Sequence, residues 1–225
     1  MAPRSVSEQA SLRTIAAEWM GSMTEPGWSL GITGQRSRRK PLTLAVQFIG
    51  KRSAGSFGER AVFSDLNMQV NKPYFVAAAF TPASEGKPGR VVFAVKDLSN
   101  DDEPLLIATA EHDIAGGLAN SAPLTLGGRS GRDPQSFHGA IDDVRISEGA
   151  LAPAQLLYTA EGVGASTLGY WRFEQKPDVL ADSSGHGRSL ERAAARAATS
   201  DAPARAALGD FCQALLNASE FLYTE

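Results

Sequence analysis

Hydrophobic and polar residues alternate with a period of two through the middle of this chain. Leu42, Leu44, Val46 and Phe48 share one face of a strand, and Thr43, Ala45, Gln47 and Ile49 share the other. Val91, Phe93 and Val95 alternate with Val92, Ala94 and Lys96 in the same way. Residues 74–80 are apolar almost throughout, which predicts a central strand buried on both faces. Shorter strands are predicted at 105–109 and 124–126. Turn-forming stretches separate these runs, among them Ser84-Glu-Gly-Lys-Pro-Gly89 and Ser99-Asn-Asp-Asp102. Short strands with turns at this spacing predict a sandwich or barrel, not a βαβ fold.

The two ends have a different pattern. Ser7 to Met20 is predicted helical, with Ser7 as its cap and Ala10, Ile15, Ala16 and Trp19 as an apolar stripe. Glu25-Pro-Gly27 ends it. Near the C-terminus, Pro203 opens a second helical pattern in which Leu208, Phe211, Cys212, Leu215 and Leu216 form one stripe. The predicted organisation is therefore a helical segment over 1–26, a sandwich over 27–190, an Ala/Arg-rich linker over 191–202 and an amphipathic helix over 203–225. That last stripe needs a cover, either the sandwich itself or a neighbouring domain.

Composition changes this picture little. A chain of 225 residues, 43% hydrophobic and 21% charged, can bury one sizeable core. Its net charge of -3 gives no electrostatic reason to expect nucleic acid. The one cysteine, Cys212, leaves neither an internal disulfide nor a cysteine-based zinc site. It reads as a small buried hydrophobe in the last helix. No apolar run reaches the roughly 20 residues of a membrane helix. Residues 1–26 lack the pattern of a signal peptide, so this chain alone is expected to stay soluble and cytosolic.

The most informative stretch is Phe137-His-Gly-Ala-Ile-Asp-Asp-Val-Arg-Ile-Ser-Glu-Gly-Ala-Leu151. It predicts a closing strand with a paired-Asp step, then a turn and a short helical stub. Strict alternation would put Ile141 opposite Val144 and Ile146, so a bulge at Asp142–Asp143 is expected. After it come the aromatic strand Tyr170-Trp-Arg-Phe-Glu174 and the turn Asp182-Ser-Ser-Gly-His-Gly187. Together these motifs resemble the laminin-G-like, concanavalin-type lectin and glucanase sandwiches, with the two motifs in reversed order, as in a permuted version of that fold. Gly27-Trp-Ser-Leu-Gly-Ile-Thr33, Pro73-Tyr-Phe-Val-Ala77, Val95-Lys-Asp-Leu-Ser99, Leu126-Gly-Gly-Arg129 and the tail from Asp210 to Tyr223 are similar to the sandwich module and C-terminal signature of large planctomycete surface proteins. Those proteins combine cytochrome-c-like and uncharacterised domains.

The resemblance implies an all-β, concanavalin-like jelly-roll β-sandwich with short flanking helices. It also implies an extracytoplasmic location and a non-catalytic role in recognition or scaffolding. The expected partners are glycans or the sister domains of a larger protein. It implies a structural calcium ion held by Asp142, Asp143, Asp182 and a carbonyl near Gly185, set against an Asx-type turn at Asp182 and pairing of Asp143 with an arginine. No Cys-x-x-Cys-His is present, so this chain attaches no haem.

Other candidates come from residue chemistry. Arg36, Arg38 and Arg39 form the one basic cluster and offer guanidinium contacts to an anionic glycan, against the reading of a solvated loop. Trp28 offers a stacking platform for a sugar, whereas Trp171 at an inward position reads as core. Glu111-His-Asp113 is the nearest string to the paired carboxylates of a glucanase. It lacks the second glutamate of such sites, which leaves a degenerate hydrolase as the remaining alternative. His112, His138 and His186 fall at no metal-ligand spacing.

Overall fold

A computed structural model describes residues 1–131, 133, 135–160, 162–174 and 178–193. The predicted helix at 203–225, with Cys212, and most of the predicted linker lie outside the described residues. Within them the chain is built of strands. The one helical element is a 3-10 turn at Pro153–Gln155, where the helical stub after the closing strand was expected.

The larger layer is a six-stranded sheet. Its antiparallel spine is β2 (Arg13–Glu18), β3 (Gly27–Ile32), β4 (Thr43–Arg52) and β5 (Phe57–Asn67). Leu30, Val46 and Val62 stand opposite one another across β3, β4 and β5. β9 (Ile114–Gly116) pairs the end of β4, and β10 (Thr125–Leu126) pairs β2. A three-stranded sheet orders β6 (Tyr74–Thr81), β7 (Gly89–Asp97) and β8 (Leu106–His112). Two short pairs remain. β1 (Ala2–Pro3) joins β11 (Gly139–Ala140), and β12 (Val144–Ser147) joins β13 (Thr167–Trp171).

The core lies where the apolar faces of β4 and β7 meet. Leu44, Val46 and Phe48 pack in one cluster with Val91, Phe93 and Val95. Their alternation in sequence is the alternation of the pleat. β4 also buries Ala45 and Ile49 on its other face.

Three expectations are corrected. Ser7–Met20 is not a helix, because Arg13–Glu18 is β2, paired antiparallel with Trp28–Ile32. Leu12, Thr14, Ile15, Ala16, Ala17 and Trp19 are all buried, too many directions for a surface helix with one apolar stripe. The β-branched Thr14 and Ile15 suit a pleated strand instead. The first 26 residues therefore contribute a strand to the main sheet. Second, 74–80 is not a central strand: β6 is an edge of its sheet, and among the described strands it pairs with β7 alone. Third, no bulge within one strand occurs at Asp142–Asp143. The chain leaves β11 there and enters β12, changing partner from β1 to β13, with Asp143 at a positive φ of 46°. Ile141 and Val144 still reach the core, whereas Ile146, expected there with them, lines the cleft instead.

The pairing of β2 with β3 makes Gly31 critical. A Cβ on Gly31 would sit 2.4 Å from the Arg13 carbonyl oxygen. Gly31→Ala should therefore destabilise the protein by about 1–3 kcal/mol in urea unfolding, the cost of forcing atoms into a packed site. A neutral or stabilising effect would mean that the segment before Gly27 does not lie against β3.

Candidate functional site

Among the described residues a cleft of about 840 Å³ opens beside the main sheet. β6 forms one wall and β12 the other. Its floor is the inner face of the six-stranded sheet, with Ile15, Trp28, Leu30, Val46 and Phe48. The segment after β12 supplies Leu151, Leu156, Leu157 and Tyr158, and the Tyr158 ring lies 5.6 Å from that of Phe75 on β6. The walls are mostly apolar, and the cleft is in the size range of ordinary ligand sites.

Two charged devices shape it. The Arg145 guanidinium on β12 donates to the carbonyls of Ala160 at 2.8 Å and Gly162 at 2.9 Å, and to that of Gln155. One fixed fork thus ties down the segment that carries Tyr158. At one end of the cleft the N-terminal ammonium of Met1 donates to the Tyr74 carbonyl at 2.7 Å. Burial lowers the pKa of this amine, and the nearby Asp142 and Asp143 partly offset that. Asp142 touches water, yet enough protein surrounds it that desolvation, then the Asp143 charge, raises its pKa.

The sequence-predicted ion ligands do not come together. Asp143 Oδ1 accepts a hydrogen bond from the Tyr170 hydroxyl at 3.0 Å, whereas Asp182 Oδ1 accepts from the backbone N–H of the same tyrosine, also at 3.0 Å. The two carboxylates therefore meet opposite ends of Tyr170. Asp182 is filled by its own turn: Ser184 N–H at 2.8 Å, Ser184 Oγ–H at 2.7 Å and Arg188 N–H at 3.0 Å complete its shell. Gly185 sits in that turn at a φ of +86°. Desolvation opposes the charged form of Asp182, but the Ser184, Tyr170 and Arg188 donors outweigh it and drive its pKa far below the usual carboxylate value. Among the described residues no cluster of three acidic, histidine or cysteine side chains has metal-binding geometry. These residues fit an Asx-type turn and do not fit a site of six to eight oxygens.

The glycan candidates are also divided. Trp28 is half-buried on the cleft floor, its indole N–H donating to Glu18 at 3.2 Å. Arg36, Arg38 and Arg39 are exposed in the loop beyond the other end of β3, whose Ile32 is four residues, about 13 Å, along the strand from Trp28. Arg39 there pairs with Asp65 at 3.3 Å and lies over the Phe63 ring. Glu111 is 3.8 Å from Arg90, and Asp113 pairs with Arg52, so the glucanase-like string ends in ion pairs. Trp171 is core, as its inward position predicted.

His112 carries a different role. It is 3% exposed, stacked on Phe80 with centroids 5.0 Å apart, and its Nδ1 accepts the Ile114 N–H at 3.1 Å. It braces β6 from behind the cleft wall. Sequence reasoning found neither this brace, nor the Arg145 clamp, nor the Met1 rung. The one available signal was the two-sided apolar character of 74–80, which the edge position leaves unexplained.

Compared with protein-family models, with curated proteins and with solved structures, the chain matches none.

Asp182→Ala should cost about 1–3 kcal/mol, since it strips the acceptor from several donors. Because its folded pKa is depressed, its stabilisation is present above the unfolded value of roughly 4 and drains away as pH falls below it. Calcium chelation should leave the melting temperature of the wild-type chain unchanged. Burial lowers the pKa of His112, so its stabilisation is full above roughly pH 6.5 and is lost as pH falls through that region. Urea midpoints should decline from about pH 7 to pH 5, and His112→Gln should flatten that decline.

Proposed function

We propose that this chain is a non-catalytic recognition and scaffolding module, a jelly-roll-like sandwich of the concanavalin or laminin-G type, acting within a multidomain extracytoplasmic protein. The observation that carries this reading is the apolar cleft between β6 and β12. A surface this apolar favours a partner with hydrophobic side chains over a hydroxyl-rich one. The class of partner proposed is therefore an extended polypeptide, such as a segment of a sister domain. The cleft holds the partner by burial, and Tyr158 and Phe75 form its aromatic rim.

Glycan recognition is the second reading, favoured by the exposed arginines of the β3–β4 loop. An array carrying extended peptides beside neutral and acidic glycans separates the two. Saturable peptide binding is expected, weakened about tenfold by Tyr158→Ala, equivalent to ~1.4 kcal/mol, and unchanged by Arg39→Ala. Binding to acidic glycans that disappears in Arg39→Ala and survives Tyr158→Ala would replace the polypeptide reading with the glycan one.

A further inference from the structure

The cleft has the form of a missing strand. Tyr74 turns its backbone away from β7: its N–H donates to the Met1 carbonyl at 2.7 Å, and its carbonyl accepts from the Met1 ammonium at 2.7 Å. In an antiparallel ladder this orientation repeats at every second residue. Val76, Ala78 and Phe80 therefore point their N–H and C=O groups into the cleft. No hydrogen bond reaches those groups among the described residues. Across the gap β12 pairs, among the described strands, only with β13. Two strand edges thus face each other over an apolar floor.

Unpaired backbone groups beside apolar surface are costly unless another strand or water meets them. Met1 already forms the first rung of a neighbour for β6. The Pro3 carbonyl accepts from Asn71 N–H at 2.7 Å, so residues 3 to 1 run antiparallel to 71–74. A strand placed in line with that rung meets Val76, Ala78 and Phe80 in register. One of its faces lies on Leu30 and Val46, and the other lies under Leu156.

Resting on the polypeptide reading above, we propose that the cleft takes a β-strand donated by a partner polypeptide, added antiparallel to β6 in line with Met1. Its chemistry is set by the walls: five or six residues, extended, uncharged, and apolar on both faces. The backbone rungs supply affinity, and the two apolar faces exclude charged or proline-containing segments. The same addition makes β6 a central strand and accounts for its two-sided apolar sequence.

Hydrogen exchange on the full chain tests this, read at the amides of Val76, Ala78 and Phe80. The probes are the free peptide acetyl-Val-Ala-Val-Ile-Val-Ala-amide at millimolar concentration and the same six residues fused before Met1. Fusion raises the effective concentration of the strand. Both probes should slow the three amides at least tenfold and raise the melting temperature. A fusion with proline at the residues whose N–H faces β6 should do neither. The amides of Val91 and Phe93, slow in every chain, report that the fold is intact. Unchanged exchange at the three positions with both probes overturns the proposal. So do amides already slow in the unextended chain, which would mean that β12 or residues 203–225 close the gap. Peptide binding on the array without protection at these amides would remove strand addition and leave polypeptide recognition standing.

Discussion

Covering the apolar face of β4 is the requirement that arranges this molecule. Leu44, Val46 and Phe48 are almost inaccessible, and burying each contributes roughly 1.5–3 kcal/mol. No single sheet can do this, so β7 must lie across them with Val91, Phe93 and Val95. The floor layer, however, is wider than the paired layer above it. β2 and β3 extend the apolar surface through Ile15 and Leu30, beyond the reach of β6, and β12 with β13 stands further away. The cleft is the area left over between a six-stranded layer and two smaller ones.

The strands of the middle of the chain were legible because period-two alternation is imposed by the pleat itself, and β4 and β7 follow it closely. The Ser7–Met20 segment departs from its predicted helix for a physical reason. Four apolar residues at loose helical spacing are also compatible with a strand that is buried on both faces. Only the pairing with β3, a contact between distant residues, decides the matter. The Asp182 turn was legible as chemistry, since an Asp-Ser-Ser-Gly run favours closure on the aspartate. The ion was not a matter of residue type alone. It depends on whether the oxygens are free, and those of Asp182 are occupied by donors.

The site shows the same division. Trp28 was picked out for its chemistry and does line the cleft, but not with the arginines it was grouped with. They lie eight to eleven residues apart in sequence, and β3 carries them to opposite ends. Arg145, which looked like part of a strand motif, acts through three backbone carbonyls far along the chain. Long-range anchoring of this kind leaves no local periodicity to read.

Residues 74–80 join these points. Their sequence demands burial on both faces, and their position provides it only in part. Local pattern and global fold usually agree in a foldable chain, and disagreements gather at sites that act on something else. A strand that is central in composition and marginal in position is in such disagreement. The conflict disappears if β6 gains a neighbour, because the same event covers Leu30 and Val46, satisfies the outward groups of Val76, Ala78 and Phe80, and extends the rung that Met1 begins. Side-chain burial without backbone pairing would meet only the first of these needs. That difference favours an added strand over a rounder ligand in the cleft.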